Sequence, residues 1–360
     1  MRRGRLGVGG ALVLGLIVLG AAGLAVARSH QLRSALGLAR PVAYANPVLD
    51  RDFPDPAVLK ASDGFWYAYA TQSLTDEGGR INIQVARSAD LVHWEHVGEA
   101  LPDKPDWGKR EWDIWAPHVV EDGGRYVMYH SAAPDEGDGL CLAVATASSP
   151  AGPFHDKGRP LECGPSFVNI DPMAFDDPAT GKHLLYWGSG LEPIKVRELS
   201  ADRLDWAPGS EAVSLIEPNA LYDYQGLVEG AWLHQRDGWN YLFFSGDNCC
   251  ERKTHYAVMV ARSHSLTGPF ETLADATGAD SSVILTTGGS WLSPGHNAIA
   301  TDAAGRDWIV YHAIDPNRKL GPNDDLQRRL LIDPLEWVDG WPRVRDGHPS
   351  SGQQQGPAQP

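Results

Sequence analysis

The chain is predicted to be all-β and to fold as a single-domain, five-bladed β-propeller. From Asn46 to about Val344, short runs of Tyr, Trp, Val and Ile alternate with Gly, Asp and Pro turns, and long helical periodicity is almost absent. These runs recur in a loose unit of about 50 residues, a repeat length typical of propeller blades. Five such units fill the segment, so five blades are expected.

Each unit opens with a segment that carries Asp, Glu or His, passes through an apolar strand, a Gly turn and an aromatic strand, and ends near a Trp or a Pro-Phe pair. In a propeller, the first strand of each blade runs along the central channel. Side chains that are far apart in sequence should therefore meet there. The residues at the five openings are Asp55, His118, Asp171, Glu229 and His296.

The first 27 residues have the pattern of a signal peptide or of an uncleaved membrane anchor. Three Arg precede an uncharged run of 22 residues from Leu6 to Ala27, and Ala25-Val26-Ala27 offers small residues to a signal peptidase. The run is longer than an ordinary signal core and close to the length that spans a bilayer. Secretion to the cell exterior is expected, with an N-terminal membrane anchor as the open alternative.

The remaining boundaries follow from composition. A linker is expected over 28–45 and the catalytic propeller over 46–345. Residues 346–360 are mostly Gly, Pro, Ser and Gln, a composition with little to bury, so a disordered tail is predicted.

The charge distribution excludes some partners. The first 45 residues carry six Arg and no acid, so with a net charge of −15 for the whole chain the remainder carries −21. Such an acidic body is a poor partner for nucleic acid or anionic lipid. A monomer is expected, with membrane contact only through an uncleaved N-terminal segment.

Four cysteines form an even set, which fits an oxidising compartment. Cys141 with Cys163 is the preferred bridge among the three pairings that four cysteines allow. That choice leaves Cys249 and Cys250 either bridged to each other or reduced. None of the spacings is typical of a zinc site, so a structural role is expected for all four.

Three carboxylates at one axial position indicate acid–base chemistry. Taken singly, Asp55 and Asp171 precede Pro and are typical turn residues, and Glu229 beside Gly230 is an ordinary loop charge. Their shared position at unit openings favours catalysis, because like charges brought together raise one another's pKa. Glycosidic hydrolysis needs two such groups, a proton donor and a second carboxylate that activates water or attacks directly.

Five motifs at the unit openings carry a resemblance to a known family. They are Asn46–Leu49 leading to Asp52-Phe53-Pro54-Asp55-Pro56, Ile114–Pro117, Asn169–Pro172, Val228–Trp232 and Pro294–Asn297. In this order and spacing the chain resembles glycoside hydrolase family 43, which includes arabinanases, α-L-arabinofuranosidases and β-xylosidases. The resemblance spans about Asn46 to Val344 and implies a sugar-binding site at the propeller axis.

The resemblance also implies catalytic roles. Asp55 would be the general base that activates water, Glu229 the general acid, and Asp171 the residue that orients the acid and raises its pKa. It further implies inversion of the anomeric carbon, for which the carboxyls of Asp55 and Glu229 should lie about 6.5–9.5 Å apart.

Five further residues are expected to contact substrate. Trp115 and Trp291 would stack on a sugar ring, although packing between blades is an equally good explanation for either side chain. Asn169 and Ser189 would hydrogen-bond to sugar hydroxyls. Arg329 lies in a closing segment from which the family directs an Arg into the site.

His296 resembles a family histidine that holds a calcium or sodium ion largely through water, and a structural, hydrogen-bonded His is the competing hypothesis. Hard cations prefer oxygen, so water would have to complete the shell. No cofactor is expected for the chemistry itself.

The predicted substrate is an oligo- or polysaccharide. The Asn169–Pro172 motif and the Asn248–Cys250 stretch resemble arabinan-acting relatives, so α-L-arabinosyl linkages in arabinan or in arabinose-decorated plant polysaccharide are preferred. A β-xylosidase of the same family and a non-catalytic carbohydrate-binding propeller are the alternatives.

Overall fold

Five antiparallel sheets of four or five strands form the body of the protein in a computed structural model that describes residues 41–75, 77–109 and 113–359. The strands of each sheet follow one another in sequence, so each sheet is one blade. Strand β1 (Pro41–Tyr44) precedes the blades.

Blade 1 contains β2 (Ala57–Lys60), β3 (Trp66–Ala70), β6 (Gln84–Ser88) and β7 (Trp94–Glu99), with a separate hairpin of β4 (Ser73–Leu74) and β5 (Arg80–Ile81). Blade 2 contains β8 (Ile114–Asp122), β9 (Arg125–Ala132) and β10 (Leu140–Ala147), and the outer strands β11 (His155–Asp156) and β12 (Glu162–Gly164) both pair with β10. Blade 3 contains β13 (Met173–Asp176), β14 (His183–Trp187), β15 (Ile194–Leu199) and β16 (Val213–Ile216).

Blade 4 contains β17 (Val228–Arg236), β18 (Trp239–Asn248), β19 (His255–Ser263), β20 (Glu271–Thr272) and β21 (Val283–Leu285), with the short helix α1 (Leu273–Thr277) between its last two strands. Blade 5 contains β22 (Leu292–Thr301), β23 (Asp307–Ile314), β24 (Arg329–Val338) and β25 (Trp341–Val344). A 3₁₀ turn (Arg345–Gly347) and strand β26 (Gln354–Ala358) follow.

The first strands of the blades form a closed ring. Strand β2 contacts β8, which contacts β13, and the series continues through β17 and β22 back to β2. The predicted five-bladed β-propeller is therefore confirmed. The blades pack face to face, so middle strands such as β23 are buried along their whole length, which explains why the apolar pattern alternates only in part.

A buried tyrosine joins each of the first four blades to the next. In each case the hydroxyl, which is a donor that must be satisfied when buried, donates to a backbone carbonyl of the following blade. The four bonds, of 2.6 to 2.8 Å, run from Tyr69 to Pro150, from Tyr129 to Arg203, from Tyr186 to Leu266 and from Tyr241 to Gly340.

The two ends of the described chain close blade 5 on blade 1, and here the prediction of a disordered tail over 346–360 is wrong. Strand β26 pairs antiparallel with β1. The backbone N–H of Ala358 donates to Asp302 of blade 5, and the Gln359 side chain donates to the Asp90 carbonyl of blade 1. Backbone hydrogen bonds order this segment although its composition offers little apolar surface.

Strand β1 also shortens the predicted linker of 28–45, because residues 41–44 belong to the folded body. The predicted signal or anchor over 1–27 and the rest of the linker lie outside the described residues. In the part of the chain that is described, no helix is long and apolar enough to cross a membrane.

Both cysteine pairs are bridged. Cys141 on β10 pairs with Cys163 on β12, as expected from the sequence. Cys249 and Cys250 are joined to each other in the turn between β18 and β19, which decides between the two states left open above.

Candidate active site

One residue near the start of each innermost strand has a left-handed backbone. The φ angles are 53° at Asp55, 45° at Ala116, 56° at Asp171, 62° at Gly230 and 48° at His296. In blades 2, 4 and 5 these residues lie inside register shifts of the ladder, where an extra residue breaks the pairing and re-aims the side chains. The left-handed residue changes the direction of the inner strand, so that side chains at or next to it point toward one end of the channel.

In four of the five blades, the backbone N–H of the left-handed residue donates to a side chain of the preceding blade. The acceptors lie near the end of that blade's second strand, and the four distances are 2.8 to 3.2 Å. The four bonds run from Asp55 to His312, from Ala116 to Thr71, from Asp171 to Ser131 and from His296 to Ser245.

Blade 4 departs from this pattern. The N–H of Gly230 donates to Oδ2 of Asp171 at 2.9 Å instead of to a Ser or Thr of blade 3. Ser189, which follows the second strand of blade 3, uses its hydroxyl to donate to the Glu192 carbonyl. Asp171 is thereby fixed directly beside Glu229, the residue that precedes Gly230.

The re-aimed side chains line a pocket of about 740 Å³. Its polar floor holds the three carboxylates predicted from the sequence, together with His296 and Arg328. The apolar part of its lining comes from Trp115, Phe167, Ile170, Leu227 and the Cys249–Cys250 disulfide. Polar side chains complete the lining at Gln72, Asp113, Asp247, Asn248 and Glu251. A concave site with apolar walls and convergent polar groups is the usual form of a small-ligand site.

Both carboxylate oxygens of Asp55 accept hydrogen bonds. Thr71 donates its hydroxyl to Oδ2 at 2.7 Å, and Nη1 of Arg328 donates to Oδ1 at 2.9 Å. Nδ1 of His312 accepts the Asp55 N–H, so it carries no proton, and its 3.3 Å approach to Oδ1 is a contact rather than a hydrogen bond.

Asp55 remains ionised in this environment. Burial alone would raise its pKa, but the Arg328 guanidinium, with smaller contributions from the two neighbouring histidines, holds the pKa of Asp55 well below its usual range. Burial lowers the pKa of His296 to about 4, so that ring is neutral at pH 7. The permanent charge on Arg328 therefore keeps Asp55 deprotonated.

Glu229 and Asp171 are shifted in the opposite direction. Burial raises the pKa of Glu229 to about 7, with Asp55 adding to the shift, whereas the Tyr256 hydroxyl, which donates to Oε1 at 2.7 Å, opposes it. Burial and the charges of Glu229 and Asp55 raise the pKa of Asp171 as well. Because the two acids interact, they titrate as a pair, and near neutral pH the pair retains a proton.

Comparison with known proteins agrees with this geometry. Residues 44–342 match the family described as "Glycosyl hydrolases family 43". The chain belongs to glycoside hydrolase family 43. It is therefore a glycosidase that hydrolyses O-glycosyl bonds, and its substrate is a carbohydrate.

Relatives and solved structures of family 43 cover most of the chain. An extracellular endo-α-(1→5)-L-arabinanase of Bacillus subtilis is 28% identical over 306 residues, which are 80% of this chain and 86% of the relative. A thermostable family-43 glycoside hydrolase is 26% identical with a TM-score of 0.68, covering 88% of this chain and all of that structure. A Cellvibrio cellulosa α-L-arabinanase complexed with arabinohexaose is 25% identical with a TM-score of 0.65, covering 81% and 95%.

Of the sugar-binding residues predicted from sequence, the structure places only Trp115 on the pocket of this glycoside hydrolase. Trp291 is 6% exposed and packs in the main hydrophobic core. Asn169 is buried and accepts a hydrogen bond from the Trp187 indole, and Ser189 is fully buried. These three predictions are wrong, because the side chains satisfy the protein's own packing and hydrogen bonds.

The prediction that Arg329 contacts substrate is also wrong. Its Nε donates to Asp50, and its side chain borders a neighbouring polar cavity. The adjacent Arg328 enters the active site instead, since successive side chains point to opposite sides of an extended segment. Sequence reasoning found the correct pair of arginines and chose the wrong member.

Four functional residues were missed. Thr71, Tyr256 and His312 contact the acids from second or third strands, which a search of blade openings does not cover. Phe167 is a large aromatic residue on the pocket wall and is 41% exposed. Its position three residues before the Ile170-Asp171-Pro172 motif was the available signal.

His296 fits an ion only through water. Its Nδ1 faces Asp55 Oδ1 at 3.5 Å and Asp171 Oδ2 at 3.7 Å. Among the described residues it belongs to no group of three His, Cys, Asp or Glu side chains whose ligand atoms lie within 4.8 Å of one another. A calcium or sodium ion beside His296 would therefore take most of its ligands from water.

Replacing Tyr256 with Phe should raise the pKa of Glu229, because it removes a donor that stabilises the carboxylate. A hydrogen bond to a charged group contributes about 1.5–3 kcal/mol, which corresponds to about 1–2 pKa units. The general acid acts when protonated, so the alkaline limb of the kcat/KM profile should move to higher pH by about that amount.

The matched control is Tyr311→Phe, which removes a buried hydroxyl bonded to Asp333 outside the pocket and should leave the alkaline limb in place. An alkaline limb that is unchanged or moves to lower pH in Tyr256→Phe would contradict the assignment of Glu229 as the general acid.

Proposed function

We propose that this enzyme hydrolyses α-L-arabinosyl linkages in arabinan or in arabinose-decorated plant polysaccharide, with inversion at the anomeric carbon. The observation that carries the proposal is the convergence of three carboxyl groups in one pocket, where Arg328 pairs with Asp55 and favours its ionised form, and burial favours a proton retained by the pair of Asp171 and Glu229. Inverting hydrolysis requires one carboxylate base and one protonated acid at the same site.

In the proposed reaction, Asp55 takes a proton from a water molecule whose oxygen forms the new bond to the anomeric carbon. Glu229 gives its proton to the departing oxygen as the glycosidic bond breaks. Asp171 accepts a hydrogen bond from the Gly230 N–H beside Glu229, and in this proposal it orients the acid and shares the retained proton with it. Proton exchange with solvent then restores an ionised Asp55 and a protonated Glu229.

The apolar walls suit a sugar chain. Trp115 and Phe167 line the pocket from blade 2 and from the loop before blade 3, and aromatic faces bind the apolar faces of sugar rings. The Bacillus and Cellvibrio relatives are named as arabinanases, which supports arabinan as the substrate.

The proposal includes export. The Arg-led uncharged run from Leu6 to Ala27 and the two disulfides support it, and the Bacillus relative is named as extracellular. N-terminal sequencing of the protein recovered from the culture medium of its native host would test this part. Retention of the chain in the cytosol would contradict it.

The test of the function is product release from linear arabinan, branched arabinan and xylo-oligosaccharides, resolved by chain length. Wild-type enzyme should release arabinose or arabino-oligosaccharides. Glu229→Gln should lose about 10²–10⁴-fold in kcat on these substrates, the usual contribution of general acid catalysis. Asp55→Asn should lose at least as much, because it removes the carboxylate that Arg328 keeps ionised and that the proposed reaction uses as the base.

Xylose as the main product would replace this proposal with a β-xylosidase. Binding of arabinan without products would indicate a non-catalytic carbohydrate-binding propeller. Undiminished turnover in Glu229→Gln would contradict the assignment of the acid even if arabinan is the substrate.

A calcium or sodium ion held by His296 through water is a separate part of the proposal, and the proton transfers above need no cofactor. If the ion is calcium, dialysis against EDTA should lower the melting temperature of wild-type enzyme and added calcium should restore it. If the ion is sodium, removing sodium from the buffer should lower the melting temperature instead. His296→Ala should show neither effect. A melting temperature that is independent of EDTA, calcium and sodium in the wild type would rule out the ion.

A further inference from the structure

The Cys249–Cys250 disulfide lines the same pocket as the three acids. It lies in the turn after β18, where Cys249 is half-buried and Cys250 is exposed. Joining two adjacent side chains in a ring removes the freedom of both cysteines to rotate about χ1. The sulfur atoms therefore occupy fixed positions at the edge of the pocket.

Arg328 connects this ring to the catalytic base. Its Nη1 lies 3.3 Å from Cys250 Sγ and 2.9 Å from Asp55 Oδ1. A terminal guanidinium nitrogen carries two hydrogens, so both are used, one toward the sulfur and one toward the carboxylate. A disulfide sulfur accepts weakly and has no proton of its own to donate, so it orients the guanidinium without competing for it.

The turn does not need the disulfide in order to form. Oδ1 of Asn248 accepts the backbone N–H groups of Cys250 and Glu251, and its Nδ2 donates to the Lys253 carbonyl. Arg252 forms an ion pair with Asp324 across to blade 5. By the loop-closure argument, a bridge between neighbours also constrains the unfolded chain very little.

We propose that the Cys249–Cys250 disulfide is a positioning element of the active site, which holds the Arg328 guanidinium against Asp55. This inference rests on the proposed role of Asp55 as the base. Thr71 fixes one oxygen of Asp55, and Arg328 fixes the other only while its own head group is held. Small displacements of a catalytic group reduce rate strongly, up to about 10²-fold per ångström.

The test compares Cys249→Ala/Cys250→Ala with wild-type enzyme on any glycoside that the wild type hydrolyses. We expect kcat to fall by about 10–100-fold. KM should change less than threefold, and the melting temperature should stay close to that of the wild type. The matched control is Cys141→Ala/Cys163→Ala, which removes the other disulfide, neither cysteine of which lines the pocket, and should leave kcat unchanged.

A double-mutant cycle with Arg328→Ala separates positioning from a general effect on the fold. If the disulfide acts through Arg328, removing it in the Arg328→Ala background should cause no further loss of kcat. Additive losses in the cycle, or a wild-type kcat in the Cys249→Ala/Cys250→Ala enzyme, would overturn the inference.

The two proposals fail in different ways. If Glu229→Gln and Asp55→Asn turn over substrate like the wild type, the proposed function of the site fails. If those variants are inactive and the Cys249→Ala/Cys250→Ala enzyme is not impaired, only the positioning role fails.

Discussion

The active site depends on a hydrogen bond that is repeated between blades. A side chain near the end of one blade's second strand accepts the N–H of a left-handed residue on the next blade's first strand. A non-Gly residue in this conformation costs about 1–3 kcal/mol and persists where its surroundings determine it. The bond from the neighbouring blade satisfies an N–H that lies outside the strand ladder of its own blade, so a correct site requires correctly packed blades.

The exception to this pattern is in blade 4, next to Glu229, the proposed general acid. Asp171 takes the place of the Ser or Thr acceptor and so contributes to two blades, since its own N–H is held by Ser131 and its carboxylate holds Gly230. The same change brings a second acid beside Glu229 in a buried pocket. Across the pocket, a permanent cation, Arg328, stabilises the charge of Asp55. The innermost strands thus bring carboxyl groups of the same chemical type into one pocket, where their different surroundings favour different protonation states.

The sequence repeat predicted which residues meet at the propeller axis. The predictions failed where strand register or tertiary packing determines the direction of a side chain. Asp55, Asp171 and His296 are at equivalent positions of the repeat, and Glu229 directly precedes the equivalent residue of blade 4, Gly230, so their convergence follows from the fold. Arg328 and Arg329 are neighbours, and a shift of one residue in an extended segment exchanges the side that each faces. The roles of Trp291 and Ser189 were decided by tertiary packing. The order of the C-terminal tail came from a long-range strand pairing that composition does not reveal.

The measurement that tests the central claim most directly is the anomeric configuration of the first product, followed by ¹H NMR during early turnover of an α-L-arabinoside. An ionised Asp55 that activates water opposite a protonated Glu229 predicts a single displacement. The first-formed arabinose should therefore be the β anomer, with the α anomer appearing later by mutarotation. Initial release of the α anomer would mean retention, and would contradict the assignment of Asp55 as a base that acts through water.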